Sequence, residues 1–171
     1  MVMTTTPKDN PIARLQRLWQ RLEPLPAGTW LFSHILAWFI PYTGTIGARV
    51  KILKPGFAQI HMHDRRRVRN HLHSIHALAL ANLGEVTSGL AMLGALSDGT
   101  RGIPTRISTE YYKKARGRLI AESHCSPPEV SEEIDFEIYA DIRDDDGDVV
   151  ARTTVNWRLA PIPEQATAPK L

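Results

Sequence analysis

The longest apolar segment of the chain, residues 74–96, sets the strongest limit on the fold. Apolar side chains recur in it at spacings of three and four, which predicts one helix of roughly 33 Å. The recurring residues are Leu80, Leu83, Val86, Leu90 and Leu93. Ser74 is the candidate N-cap, and Glu85 is the only acidic residue between Asp64 and Asp98. A helix this apolar must bury its faces against other elements, and its polar residues argue against a membrane span.

Alternation of apolar and polar residues predicts six strands, two before this helix and four after it. The predicted strands cover 46–52, 57–63, 106–115, 118–125, 133–142 and 149–159. A turn at Arg116–Gly117 predicts a hairpin of the third and fourth strands, and an Asp-Gly pair predicts one of the fifth and sixth. Consecutive hairpins favour a largely antiparallel sheet. The economical fold is α+β, with a curved sheet wrapped around the long helix and free edge strands suited to pairing between subunits.

Breaker residues and composition divide the chain into three parts. Residues 1–27 are expected to form an N-terminal tail and helix, 28–160 a single domain, and 161–171 a flexible C-terminal tail. Helices are predicted over 11–23 and 28–40, because a Pro- and Gly-containing stretch separates them.

The apolar stretch 30–40 has 11 residues and ends at Pro41, so it is too short to cross a bilayer. It either packs against the domain or lies on a membrane surface. The N-terminus lacks the apolar core of a secretory signal, and the single cysteine, Cys125, excludes an intramolecular disulfide. Both features indicate a cytoplasmic protein. A net charge of only +3 does not favour binding to nucleic acid.

A second feature is the spacing of polar residues at the start of the long helix. Asn70 precedes His76 by six residues, Glu85 follows His76 by nine, and "YYKKARGRLIAES" lies downstream. This pattern resembles the hotdog acyl-CoA thioesterases related to the phenylacetic-acid-degradation enzymes, in a branch whose members mostly lack an assigned substrate. The resemblance covers roughly residues 28–160 and implies a hotdog fold. Ala77-Leu78 stand where that family usually has Gly-Gly.

The resemblance implies hydrolysis of a fatty or aromatic acyl-CoA, with coenzyme A as part of the substrate and no separate cofactor. Glu85 would activate water or attack the carbonyl, since burial in an apolar interface raises the pKa of a carboxylate. Asn70 would hold the water or the thioester oxygen, and His76 would orient the loop or the substrate. The Ala77 amide, at the helix N-terminus, would stabilise the oxyanion. Asn70 and His76 of one subunit would face Glu85 of another, in a homodimer or a dimer of dimers.

Other polar and basic residues are candidates for substrate binding. Asn82 and Ser88 lie three residues either side of Glu85, and Met92 is a candidate for lining an acyl tunnel. The basic residues either bind the phosphates of coenzyme A or form a solvated face. They are Arg67, Arg69, Lys113, Lys114 and Arg116.

Three alternatives remain open. Glu85 could be a structural carboxylate hydrogen-bonded to Asn82 or Ser88. The chain could also be a non-catalytic hotdog protein that binds acyl-CoA or lipid, which the Ala77-Leu78 pair favours. The His71-x-His73-x-x-His76 pattern suggests a metal, but zinc needs further ligands and a supporting shell, so no metal site is predicted. The His-Gly pattern of dehydratase-type hotdog proteins is not present.

Overall fold

Six antiparallel strands wrap around one long helix in the computed structural model, which describes residues 11–97 and 99–162. The helices are α1 (Pro11–Leu22), α2 (Gly28–Phe39), α3 (Pro41–Gly44) and α4 (Ala77–Leu93), with a 3-10 turn at Arg66–Val68. The strands are β1 (Arg49–Lys54), β2 (Phe57–His63), β3 (Thr100–Tyr111), β4 (Arg118–His124), β5 (Ile134–Arg143) and β6 (Val149–Pro161). Residues 1–10 of the predicted N-terminal part and 163–171 of the predicted C-terminal tail lie outside the described residues, whereas Pro161 belongs to β6.

The strand order is β1-β2-β4-β5-β6-β3, and every neighbouring pair is antiparallel. Helix α4 contacts all six strands, which confirms the predicted hotdog arrangement. The hairpins β1–β2 and β5–β6 are also confirmed.

The predicted hairpin of β3 and β4 is wrong, because β3 pairs with β6 and β4 lies between β2 and β5. The segment after β3 is bound to the chain that precedes α4. The Ile75 amide donates to the Ala115 carbonyl and the Asp64 amide to the Gly117 carbonyl, both at 2.9 Å. These bonds carry the chain across the end of the sheet before β4 begins.

Helix α4 begins later than predicted, because His76 and not Ser74 is its N-cap. The Ser74 side chain is hydrogen-bonded to Asn70 instead. The helix lies directly on β6: a Cβ added to Gly84 would come within 2.3 Å of Thr153 Cβ and Oγ1. Glycine at this position therefore lets the helix approach the sheet closely.

The bounds of two strands, β1 and β3, differ from the prediction by several residues. β1 covers residues 49–54 rather than 46–52, because α3 and its following turn occupy the chain up to Gly47. β3 covers 100–111 rather than 106–115, so it begins six residues and ends four residues earlier than predicted, and it runs through Pro104. The pairing register shifts between Pro104 and Arg106, and such a bulge accommodates a proline that cannot donate to the ladder.

The N-terminal helices cover one edge of the sheet and leave the other open. Trp19 of α1 packs edge-on against Phe32 of α2, with ring centroids 4.9 Å apart. Ser33 Oγ of α2 accepts a hydrogen bond from the Val50 amide of β1. At the opposite edge β3 pairs only with β6 among the described strands. None of the helices within 11–97 and 99–162 is long and apolar enough to span a membrane.

Candidate active site

Asn70 organises the loop that leads into α4. Its Oδ1 accepts hydrogen bonds from the backbone amides of Leu72 at 2.9 Å and Ser74 at 3.2 Å. Its own amide donates to the Ser74 carbonyl at 2.8 Å. His73 takes a left-handed conformation inside this loop, with φ of 54°. The structure thus gives Asn70 a local role in shaping the turn before His76.

His76 and Ala77 present two donors at the start of α4. Nδ1 of His76 accepts a hydrogen bond from the Leu78 amide at 3.1 Å, so a neutral His76 carries its proton on Nε2. The side chain is exposed, which leaves Nε2–H facing solvent. Among the described residues nothing accepts a hydrogen bond from the Ala77 amide. The N-terminus of α4 therefore offers an unpaired N–H within a positive helix dipole.

Glu85 lies two and a half turns further along α4 and is half-buried. No hydrogen bond or ion pair reaches its carboxylate from the described residues. The Ser88 hydroxyl donates to the Glu85 backbone carbonyl at 3.0 Å and not to the carboxylate. The interpretation of Glu85 as a carboxylate hydrogen-bonded to Ser88 or Asn82 is therefore wrong. Desolvation by burial raises the pKa of Glu85 above its ordinary value.

Trp157 of β6 is a neighbour of Glu85 that the sequence did not indicate. A Cβ added to Gly89 would lie 3.5 Å from Trp157 Cζ2 and 3.9 Å from Glu85 Oε1. The indole N–H of Trp157 is buried and has no hydrogen-bond partner in the described part of the chain. A buried unpaired donor is costly, and the ring that carries it and the candidate catalytic carboxylate both lie beside Gly89.

The residues of α4 that are predicted to bind substrate lie in two environments. Ser88 is fully buried, and Met92 is fully buried near Gly102 in the core, so both pack inside the domain. Asn82 is 9% exposed, and its Nδ2 donates to the Tyr42 carbonyl over a long 3.4 Å. Its Oδ1 is buried without a partner in the described residues.

A pocket of about 370 Å³ opens between α3, the 3-10 turn and the start of α4. It brings together four predicted residues, Arg67, Arg69, His76 and Asn82, with Tyr42 as an unpredicted wall. The Arg69 guanidinium also contacts Asp64 at 2.6 Å. The pocket thus combines cationic donors with the unpaired acceptor Asn82 Oδ1. Side chains three residues apart on a helix are neighbours, so Glu85 lies one turn from this acceptor.

The basic residues of the β3–β4 connection are arranged differently. Lys113 Nζ lies 2.7 Å from Asp144 and from Asp148, and hydrogen bonds to both raise the pKa of the lysine. Arg116 donates to the His73 carbonyl at 3.3 Å, and Lys114 is exposed. These three side chains do not line the pocket. In the part of the chain that the structure describes, no three His, Cys, Asp or Glu side chains are grouped to hold a metal ion.

One subunit does not bring the predicted catalytic residues together. His76 and Glu85 are nine residues apart, which is about 13 Å along the helix and about two and a half turns. Their side chains therefore point to opposite sides of α4.

Comparisons with known proteins agree on the fold. A family model described as "Domain of unknown function (DUF4442)" matches residues 28–159. The alignment with a structural-genomics crystal structure covers 87% of this chain and 99% of that chain, with 26% sequence identity and a TM-score of 0.76. A protein of unknown function from Pseudomonas aeruginosa, called a probable thioesterase, has 22% identity, coverage of 80% and 97%, and a TM-score of 0.69.

A thioesterase from Haemophilus influenzae is more distant, with 14% identity, coverage of 72% and 85%, and a TM-score of 0.61. No curated protein matches the chain. The similar structures share the sheet wrapped around a helix, which supports the predicted α+β hotdog fold.

Proposed function

The chain belongs to the family described as "Domain of unknown function (DUF4442)", and we propose that it is a cytoplasmic acyl-CoA thioesterase. The observation that carries the proposal is Glu85, a half-buried carboxylate without a partner in the described residues and with a raised pKa. Such a group accepts a proton more readily than an exposed carboxylate. The thioesterases among the similar structures support the same reaction class. The substrate would be a fatty or aromatic acyl-CoA, as in the relatives of the phenylacetic-acid-degradation enzymes.

In this proposal Glu85 removes a proton from water while the water oxygen attacks the thioester carbonyl carbon. The oxyanion of the tetrahedral intermediate accepts hydrogen bonds from the Ala77 amide and from His76 Nε2–H. When the intermediate collapses, the carbon–sulfur bond breaks and the proton on Glu85 passes to the departing thiolate. The products are a carboxylic acid and coenzyme A. Direct attack by the Glu85 carboxylate, followed by hydrolysis of the anhydride, is the second route open to the same residue.

The reaction requires two subunits, because His76 and Glu85 of one chain point to opposite sides of α4. A two-fold interface places each residue of one subunit opposite the other residue of its partner. The open edge of β3 supports such an interface. Ile107 and Tyr111 lie on its helix-facing side, and both remain about half exposed. A homodimer would cover these side chains and form two sites, and a dimer of dimers would form four.

The pocket at the start of α4 is the proposed site for the polar part of coenzyme A. Arg67 and Arg69 would bind its phosphates, and Asn82 Oδ1 would accept a hydrogen bond from an amide N–H of the pantetheine arm. This assignment predicts that Arg67→Ala raises KM for acyl-CoA but not for the matching N-acetylcysteamine thioester, which carries no phosphate. Lys114→Ala, which removes an exposed charge outside the pocket, is the control.

Activity against a panel of acyl-CoA thioesters, measured as thiol release, tests the reaction. Wild type should turn over at least one member, and Glu85→Gln should reduce kcat by about 10²–10⁴-fold. Glu129→Gln, at an exposed site, should leave the rate unchanged. Unchanged turnover in Glu85→Gln would rule out the mechanism.

Subunit complementation tests the two-chain site separately. His76→Ala and Glu85→Gln are each expected to be inactive, but a heterodimer of the two has one intact site. Random mixing by unfolding and refolding should therefore restore about a quarter of wild-type activity, since half of the dimers are mixed and each has one of two sites. Glu85→Gln refolded alone is the control. No recovery from a folded mixture would contradict a shared site.

A non-catalytic acyl-CoA or lipid-binding protein is the second candidate. The side chain of Leu78 is 63% exposed beside the unpaired Ala77 amide, where the related thioesterases usually have glycine. Saturable binding of an acyl-CoA by wild type without thiol release would favour this function.

A further inference from the structure

The loop that leads into α4 and the segment that follows β3 form one strongly cationic surface. Residues 64–76 contain four arginines and three histidines but a single acidic residue, Asp64. Residues 113–118 contain two lysines, two arginines and no acidic residue. Hydrogen bonds join the two segments, including one from Arg116 to the His73 carbonyl. We call these two segments the cationic loop face, and all of its basic side chains are exposed.

The protein itself neutralises only part of the arginine charge on this surface. Arg69 pairs with Asp64 at 2.6 Å, whereas Arg65 donates to a neutral backbone carbonyl. No carboxylate pairs with Arg66 or Arg67 in the part of the chain that the structure describes. Three consecutive arginines therefore present uncompensated positive charge to solvent, which attracts an anionic partner.

An acidic turn between β5 and β6 borders the cationic loop face on one side. Its acidic residues are Asp144, Asp145, Asp146 and Asp148. Lys113 lies 2.7 Å from two of these carboxylates, and Arg118 lies 2.9 Å from a third. Both of these basic residues are therefore compensated, and the turn as a whole is negative. An anionic partner would be repelled from this side and directed towards the arginines before α4.

The tip of the loop holds an apolar side chain in a fixed position among these charges. Leu72 is 52% exposed and lies between His71 and His73. The side chain of Asn70 accepts hydrogen bonds from two backbone amides of the tip. A preordered apolar residue inside a polar rim is typical of a protein–protein contact. Neither segment contains Phe, Trp or Tyr, the residues on which nucleic-acid bases stack.

The cationic loop face also surrounds the entrance of the pocket at the start of α4. Arg67 and Arg69 line this pocket, whereas Arg65, Arg66 and Leu72 lie outside it. The phosphates of a coenzyme A bound in the pocket would therefore leave the outer arginines and the loop tip without a contact. A larger anionic molecule is needed to use both the pocket and its surroundings.

We propose that the cationic loop face docks an acidic carrier protein that presents the acyl group as a thioester on a phosphopantetheine arm. The arm would enter the pocket with its phosphate at Arg67 and Arg69, in the place proposed for the phosphates of coenzyme A. Carboxylates of the carrier would pair with Arg65 and Arg66, and Leu72 would pack against apolar residues of the carrier.

The reaction of the docked carrier rests on the proposed thioesterase function, whereas the docking itself does not. Water would attack the acyl carbon, the carbon–sulfur bond would break, and the proton from water would pass to the sulfur of the arm. The products would be a carboxylic acid and a carrier protein with a free thiol.

Fluorescence anisotropy tests docking without turnover. The probe is a purified, labelled acidic acyl carrier protein whose arm bears an octanoyl group through an amide, which is not hydrolysed. Wild type should bind it saturably, and binding should weaken as salt rises because exposed charges are screened. Arg66→Glu should weaken binding by roughly tenfold or more, since it places a like charge opposite the carrier. Arg66→Lys should lose much less.

Two further variants test the loop tip and the specificity of the charge effect. Leu72→Ser should weaken binding by roughly tenfold, because an apolar contact is lost. Lys54→Glu reverses an exposed charge at the opposite end of the β1–β2 hairpin and should bind as wild type does. Circular dichroism should remain that of wild type in all of these variants, because the replaced side chains are exposed.

Thiol release separates docking from the reaction. The variants are assayed with the octanoyl thioester of the carrier protein and with octanoyl-CoA. Arg66→Glu should raise KM for the carrier thioester by roughly tenfold and leave KM for octanoyl-CoA nearly unchanged. Binding of the carrier without thiol release from either substrate would refute the thioesterase function and leave docking intact.

The docking proposal is overturned if wild type does not bind the loaded carrier protein, even where it hydrolyses octanoyl-CoA. It is also overturned if Lys54→Glu loses as much binding as Arg66→Glu, or if Arg66→Glu impairs both substrates equally. A wild type that sediments with phosphatidylglycerol vesicles instead, and loses this in Arg66→Glu, would show that the arginines bind a membrane surface and would refute the carrier.

Discussion

Glu85→Gln is expected to lower activity and raise stability in the same protein. Glutamine keeps the shape of the side chain but cannot accept a proton at the reacting water. It also removes a charge that the folded protein holds half-buried without a partner among the described residues. A structural carboxylate would behave in the opposite way, since replacing a hydrogen-bonded group destabilises the fold.

The sign of the stability change, and its dependence on pH, follow from the direction of the pKa shift. Burial raises the pKa of Glu85 above 4.5, so between that value and its folded pKa the folded state binds more protons than the unfolded state. The free energy of unfolding then falls as pH rises through this window, and the cost is fully present above the folded pKa. One pKa unit corresponds to about 1.4 kcal/mol. We therefore expect Glu85→Gln to raise the free energy of unfolding at pH 7 and to change it much less near pH 4.

The assay is urea unfolding of wild type and variant at both pH values, followed by circular dichroism, with thiol release measured at pH 7. Glu129→Gln is the matched control, because it removes an exposed carboxylate and should change neither quantity. The activity of wild type should also rise with pH along a limb whose midpoint lies above 4.5. A Glu85→Gln protein that is less stable than wild type at pH 7 would refute the reasoning.

Two glycines and the helix cap give further predictions. Gly84→Ala should destabilise the protein by about 1–3 kcal/mol, because the added Cβ would lie 2.3 Å from Thr153 Cβ; the chemical denaturation midpoint measures this. The Cβ added in Gly89→Ala meets only ordinary contacts at 3.5 Å, and the variant should stabilise α4 by up to about 1 kcal/mol through helix propensity. Equal losses of stability in Gly84→Ala and Gly89→Ala would contradict the packing argument. His76→Ala should lose about 1 kcal/mol of capping energy in a thermal melt, and His76→Asn should recover it without recovering thiol release. Recovery of both would show that His76 acts only as a cap.

The sequence predicts the parts of the fold that depend on local periodicity. Helix α4 and the β5–β6 hairpin follow from spacings within one segment, and both are confirmed. The pairing of β3 with β6 does not follow from any local signal. The Arg116–Gly117 turn predicts a hairpin of β3 and β4 as strongly as other turns do. In the structure, the segment around this turn is instead hydrogen-bonded to the chain that precedes α4.

The residues of the candidate site also differ in whether a local sequence pattern indicates them. The sequence predicts Glu85 as a catalytic residue, because it is the only acidic residue between Asp64 and Asp98 and follows His76 by nine residues. Its neighbour Trp157 is not predicted. The two residues are 72 positions apart in the chain and become neighbours only because α4 packs against β6. The alternation of β6 does not distinguish Trp157 from the core residues beside it. Tyr42 is missed for a similar reason, since it reaches the pocket only through the placement of α3.

Because of the spacing between His76 and Glu85, a single chain cannot form the complete proposed site. Nine residues correspond to two and a half turns of a regular helix, so the two side chains point to opposite sides of it. A spacing of seven or eight would place them on one face and let one subunit contain both. The observed spacing therefore matches a pair of antiparallel helices related by a two-fold axis, where the start of each α4 lies opposite the middle of the other. The half-exposed Ile107 and Tyr111 on the open edge of β3 are where such a partner would be expected to bind.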